Sequence, residues 1–370
     1  MTRALAVIAL GLLLVAIAGF FDAPPLYVPG VGFALLGLLA PAWVELAARR
    51  VRVTRTLTVR HVVEDEPLPI RLTVGTGRLP LPLPRASIED PLLEAPLALP
   101  GGARQRSFTV VARFARRGRR RIAAPAIVLR DPLELARRVV RGSGEDELLV
   151  LPRTSEIALA RRRGDDGRSG VVAALLGAAA TDMDGVRPYR EGTRASQIHW
   201  PSLARGAGMM ERRMRIEADA RPLVVLDARG AASRADLDAA VRAAASLTLA
   251  YARAGGCTLL LPGERRPSAI GEDLSGWPTA HVRLALVDGG EHEPAPALNG
   301  AGVRRGALLY VSARRVERLP AAARSLARGP AALVVPGKLP GREAAFSVAG
   351  CNGYAVAARA HGARDAAVAS

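Results

Sequence analysis

Cysteine is nearly missing from this chain of 370 residues: Cys257 and Cys351 are the two, far apart in sequence. Their separation excludes the paired spacings of a zinc site, and a disulfide-stapled framework needs more of them. Two free, buried thiols are expected. Lysine is rarer still, with Lys338 the one example, so arginine carries the formal net charge of +18. Such a skew matches the codon bias of a GC-rich genome. Aromatic residues make up 4% of the chain. That scarcity excludes the aromatic-interleaved basic stripes on which single-stranded nucleic acid stacks, and no nucleic-acid module accompanies the arginines. The clusters at Arg49, Arg50, Arg52 and Arg55, at Arg116 to Arg121 and at Arg161 to Arg163 read as membrane or partner electrostatics. Also lacking are a phosphate-binding glycine–lysine loop, a dinucleotide fingerprint and a Ser/His/Asp arrangement with supporting spacing. No catalytic residue, cofactor or nucleic-acid partner is assigned.

Long apolar runs are present, both near the start. Ala4 to Phe21 and Leu26 to Val44 carry no charge, and Asp22-Ala-Pro-Pro25 separates them as a tight turn. At about 1.5 Å rise per residue, each run approaches the hydrocarbon thickness of a bilayer. Residues 1–48 are therefore read as two transmembrane helices. Arg3 precedes the first, the loop holds no cation, and four arginines follow the second, which predicts both ends on the cytoplasmic side. Ala16-Ile-Ala18 resembles a signal-peptidase site, but the arginines after Val44 oppose an outward-facing body. The expected location is the inner (plasma) membrane, multi-pass, with the soluble domains cytoplasmic.

Residues 49–153 alternate apolar and polar side chains in short runs punctuated by Gly and Pro. Val51 to Val59, Leu68 to Val74 and Ser107 to Phe114 predict strands of a small antiparallel β-sandwich-like domain. Residues 154–219 form a linker and an arginine-rich segment holding Tyr189 and Trp200. From Arg187 to Arg215 there are seven arginines against Glu191 and Glu211. His199 is expected to be structural, and Tyr189 and Trp200 to be packing anchors. Residues 220–370 alternate strand and helix. Pro222 to Asp227, Cys257 to Leu261, Ala307 to Ser312, Ala331 to Val335 and Tyr354 to Ala357 read as strands. Helices are expected from Ser233, from Trp277 to Val287 and from Val316 to Leu326. The pattern predicts a doubly wound parallel α/β sheet. Gly350-Cys-Asn-Gly353 is read as a turn.

Arg187, Tyr189, Gly192, Ile198, Trp200, Ala204 and Arg205, in this order and spacing, resemble the signature of the "domain of unknown function 58" proteins. Arg117-Gly118 and Asp131-Pro-Leu-Glu-Leu135 resemble further elements of that family. The chain departs from the pattern at Thr193, Ser196 and His199, where the family carries Asp, Arg and Asp; Arg194 is a physical substitute for the missing arginine. The resemblance implies a von Willebrand factor A-like domain at residues 220–370. In such domains the Asp ending the first strand is followed by serines two and four residues on, which hold a divalent cation. Here Asp227 is followed by Arg229 and Ala231, a degenerate site, and no bound metal is expected.

The resemblance also implies a partnership with MoxR-type AAA+ ATPases. The expected function is that of a membrane-anchored adaptor or scaffold in envelope-related assembly, held in lipid by the N-terminal hairpin. The signature residues, with Arg194, are the candidate partner-binding surface. The alternative is a metal-dependent or hydrolytic enzyme on the α/β domain.

Overall fold

The computed structural model describes residues 2–77, 83–93, 95–99, 105–159, 182–189, 200–206, 208–215, 221–290, 292–302 and 306–356. The chain forms two compact units. One comprises Met1–Ala115 and Arg119–Val150; the other comprises Arg116–Gly118 and Leu151–Ser370.

The first unit begins with helices α1 (Thr2–Phe20) and α2 (Tyr27–Ala48), joined by a 3-10 turn at Pro24–Leu26. Both are long and apolar enough to cross a membrane. Their leucines and phenylalanines face outward, including Leu12, Leu13, Phe20 and Leu38, while Ala4, Gly11, Ala18, Gly30 and Gly37 are buried. Small residues let the two backbones approach closely. A Cβ on Gly11 would lie 2.5 Å from both the amide N of Ala34 and the carbonyl O of Gly30. The last turn of α2 does not end in a linker. Val44, Ala47 and Ala48 enter one apolar cluster with Val51, Val53, Leu72, Ile127 and Leu129 of the β structure that follows.

That structure consists of β1 (Arg52–Leu57), β2 (His61–Val63), β3 (Leu68–Gly75), β4 (Arg85–Glu89), β5 (Leu97–Leu99), β6 (Gln105–Ala112), β7 (Gly118–Ile122), β8 (Ala126–Arg130), β9 (Arg137–Arg141) and β10 (Asp146–Leu151). They form sheets in the orders β1-β3-β6, β2-β10-β7 and β5-β4-β8-β9. The first and last of these are antiparallel throughout. On β3, Leu68, Ile70, Leu72 and Val74 point inward while Pro69 and Arg71 point out, as a period-two strand requires. On β1 one inward position is taken by Arg55. Its guanidinium donates to Asp90 Oδ2 at 3.0 Å, Asp146 Oδ2 at 2.7 Å and the carbonyls of Ala123 and Ile122 at 3.0 Å each. A cation in that position is stable because carboxylates and carbonyls replace its hydration.

In the second unit β11 (Ala158–Leu159) precedes a two-stranded pair, β12 (Asp182–Pro188) and β13 (Met210–Arg215), with the short helix α3 (Trp200–Ala204) between them. The α/β elements follow: β14 (Leu223–Asp227), α4 (Arg234–Gly255), β15 (Cys257–Leu260), β16 (Ser268–Ile270), α5 (Trp277–Leu286), β17 (Leu308–Ser312), α6 (Ala321–Leu326), β18 (Ala331–Pro336), β19 (Phe346–Val348) and β20 (Cys351–Val356). The sheet order is β11-β19-β20-β18-β17-β14-β15-β16. Every residue of β14, β15, β17 and β18 is buried, as in a sheet covered on both faces. One face packs against α4 and α5 through Leu237, Val241, Leu247 and Leu284. Leu298, Leu319 and Ala323 cover the other. Each large apolar side chain so buried contributes about 1.5–3 kcal/mol.

The all-parallel expectation is corrected. Parallel pairing joins β15, β14, β17 and β18, whereas β16, β20, β19 and β11 pair antiparallel to their neighbours. A parallel return needs a crossover, usually helical, and no helix lies between β18 and β20. The helix expected from Val316 spans Ala321–Leu326, because Pro320 occupies its N-cap and blocks extension backward. Cys351 to Gly353 lie in β20; the turn is Ala349-Gly350, with φ of 50° and 85°, a two-residue reversal between β19 and β20.

Candidate functional site

In an open α/β sheet, ligands gather outside the carboxyl ends of the strands where the winding reverses direction. Here that place lies between β14 and β17: the chain proceeds from β14 to β15 on one side and to β17 and β18 on the other. β14 ends there in Asp227, whose register partner on β17 is Ser312. The backbone turns through Gly230, with φ of 61°, into α4. Ser233 caps that helix, its Oγ accepting from Asp236 N at 3.1 Å, which satisfies one of the free amides of the first turn.

The Asp227 side chain is 3% exposed and its oxygens are engaged. Arg229 donates from Nε to Oδ1 at 2.9 Å and from Nη2 to Oδ2 at 3.0 Å, a bidentate fork. The Arg229 amide adds a bond to Oδ1 at 3.3 Å, and the Tyr310 hydroxyl donates to Oδ2 at 2.6 Å. Burial desolvates the carboxylate and raises its pKa, but the bonds from Arg229 and Tyr310 outweigh it and hold the group below its ordinary 3.8. The same burial, with Asp227 alongside, pushes the Tyr310 phenol up. Ser312 Oγ is buried beside this group and has no hydrogen-bond partner.

The residues here do not fit a divalent cation. A guanidinium neutralises the carboxylate and would repel a second cation, and Ala231 supplies no oxygen where the metal-binding pattern needs a hydroxyl. Ala231 packs instead against the apolar core. The arrangement anchors the turn after β14 and leaves the carboxylate no free lone pair aimed at solvent for proton transfer. Among the described residues, no group of three or more His, Cys, Asp and Glu stands close enough to hold a metal ion.

The arginine-rich signature is only partly described. Gly192, Arg194 and Ile198 lie outside the described residues, as do Thr193, Ser196 and His199. Arg187 lies on β12, in register with Glu211 of β13. Tyr189 is half-buried, and its amide donates to Met209 O at 3.0 Å. Trp200 differs from the packing role expected of it: it is 54% exposed at the start of α3. Ala204 and Arg205 are exposed at the other end of that helix, and Leu203 and Met209 are exposed nearby in sequence.

Two positions take structural roles that sequence reasoning did not assign: Arg117, named there only as part of a family element and a basic cluster, and His281, not named at all. Arg117 belongs to the second unit, where its Nε lies 2.9 Å from Asp238 Oδ1 on α4. Its Nη1 donates to the carbonyls of Leu284 at 3.1 Å and Val287 at 2.7 Å, closing the C-terminus of α5 with a cation. His281 on α5 stacks on Trp277, with centroids 4.7 Å apart, and its Nε2 donates to Pro152 O at 2.7 Å. Burial lowers its pKa, partly offset by that carbonyl. The basic run around Arg117 carries no sequence mark of burial, and His281 no motif.

No family model matches the chain, and no curated protein matches it. Among solved structures it is similar to the Pseudomonas fluorescens alkylpurine DNA glycosylase AlkC bound to DNA containing an abasic site analog, at 15% identity over 37% of this chain, with a TM-score of 0.18. The chain spans 41% of that protein's length, and a likeness this slight carries no argument about fold or function.

Proposed function

We propose that this chain is a membrane-anchored interaction protein, a divergent relative of the "domain of unknown function 58" proteins, acting as an adaptor for a MoxR-type AAA+ ATPase in envelope-related assembly. It performs no catalysis of its own. The two apolar helices hold it in the plasma membrane, with both soluble units on the cytoplasmic side. The observation that carries the reading is the short stretch, residues 200–209, in which Trp200, Leu203, Arg205 and Met209 are all exposed. Tryptophan and arginine dominate protein-binding hot spots, and a segment that exposes both residue types is suited to a partner with an apolar pocket and an acidic rim.

Two further features support it. The order β16-β15-β14-β17-β18, with β16 the antiparallel edge, is compatible with a von Willebrand A-like domain. The carboxylate at the strand end is held by Arg229 and Tyr310, which favours recognition by surface over metal-mediated capture.

Crosslinking in intact membranes, followed by capture through the C-terminus and identification of bound proteins, tests the proposal. The expected result is an AAA+ ATPase, lost on charge reversal at Arg187 and Arg205 with the protein still folded. Efficient crosslinking that returns envelope enzymes or lipid-linked material and no ATPase would overturn it.

A further inference from the structure

We infer that the loop 131–136, with the strand β9 that follows it, is a docking surface for anionic phospholipid headgroups of the membrane that α1 and α2 cross. The inference rests on reading those helices as membrane-spanning.

A helical hairpin that crosses a bilayer returns the start of α1 and the end of α2 to the same membrane surface. The segment 134–138 touches both. Arg3 Nη1 lies 3.8 Å from Glu134 Oε2, and Arg138 Nε lies 3.4 Å from Glu45 Oε2 on the last turn of α2. The loop and the start of β9 therefore lie at the level where the helices leave the hydrocarbon, whatever the tilt of the hairpin.

The chemistry of that level is basic with an apolar tip. Arg3, Arg49, Arg130, Arg137 and Arg138 are exposed there, against Glu45, Glu89 and Glu134. The acidic partners are themselves solvated, and such exposed pairs hold their arginines weakly. Thr2, Arg3, Arg130, Glu134 and Arg137 line a cavity of about 310 Å³, wide enough for a phosphate with its glycerol substituent. Between them the loop raises Leu133, 58% exposed, next to the exposed Pro132.

The loop is built to hold that leucine outward. The buried Asp131 carboxylate accepts from Leu133 N at 3.0 Å and Ala136 N at 2.6 Å, and Glu134 takes a φ of 55° to close the turn. A leucine fixed in water is unfavourable; at a membrane interface it enters the acyl boundary while its flanking arginines meet phosphates. Anionic lipid is the occupant that satisfies both groups at this depth.

The test uses the full chain in vesicles of phosphatidylcholine with or without phosphatidylglycerol. An environment-sensitive fluorophore is attached at L133C, and separately at F33C in the middle of α2; the native thiols are buried and do not compete. The expected result is lipid-like emission at Phe33 in both vesicles, and at Leu133 a blue shift that grows with phosphatidylglycerol. Adding R130E and R137E should remove that growth. Water-like emission at Leu133 with lipid-like emission at Phe33 overturns the docking surface and leaves the span intact. A shift at Leu133 indifferent to phosphatidylglycerol overturns the recognition of anionic headgroups. Water-like emission at both positions overturns the span, and this inference with it.

Discussion

The ring of Phe346 fills the space over its cross-strand partner Gly353, so that a Cβ on the glycine would overlap the ring. Phe346 is 1% exposed and has nowhere to retreat. Gly353→Ala is expected to lower stability by about 1–3 kcal/mol, the usual range for overpacking a filled core. Urea unfolding of the detergent-solubilised chain measures it. Combining Gly353→Ala with Phe346→Leu should cost less than the two changes summed, because the leucine frees the space.

Asp227→Asn removes the charge that Arg229 and Tyr310 bond, and the buried phenol loses its best acceptor. A loss of about 1–3 kcal/mol is expected at neutral pH. The sign of the pH dependence follows from the depressed pKa. A carboxylate held below 3.8 in the folded state contributes fully above 3.8, and that contribution is lost as the pH falls through the folded value. The stability difference between wild type and D227N should thus be constant near neutrality and shrink in acid. A difference that persists unchanged into strong acid would refute the assigned coupling.

Cys257 and Cys351 are both fully buried, and burial pushes each thiol up to about 12. Cys257 Sγ also donates to Thr248 O at 3.3 Å. Since the thiolate is the reactive form, a thiol reagent at about pH 8 should label neither residue in the folded protein and both in denaturant. Rapid labelling of the native chain would show that this core opens.

Two glycines of the hairpin should respond differently to a Cβ. A Cβ on Gly11 meets the backbone of Ala34 and Gly30, whereas one on Gly32 meets nothing within 4 Å. Gly11→Ala should separate the helices and lower the melting temperature in micelles. Gly32→Ala should be neutral, or raise it by the better helix propensity of alanine, about 1 kcal/mol at most.

The parts of the fold that were legible share a local cause. α4 shows a serine cap, apolar residues at helical spacing and a terminal glycine pair, and β14, β17 and β18 are continuous apolar runs closed by turn residues. The short strand β19, between β11 and β20, was not legible, because three residues hold too little period to register. Arg55 and Arg117 were read as members of basic clusters serving membrane or partner electrostatics, and are instead buried. Their partners, Asp90 and Asp146 for one and Asp238 for the other, are distant in sequence, so only tertiary structure reveals them. At the candidate site the pattern Asp227, Arg229, Ala231 was read as a degenerate metal site; the bidentate fork of Arg229 is seen only in the structure, and the contribution of Tyr310, from a different strand, had no sequence signal.

The unbroken passage of α2 into the first apolar core has a mechanical meaning. Val44, Ala47 and Ala48 are shared between the helix and the β structure, so the two are packed as one body with no free linker between them. The β structure and the second helix behave as the head and shaft of one lever. If α2 spans a bilayer as proposed, thinning or thickening of that bilayer around the shaft would re-aim the head.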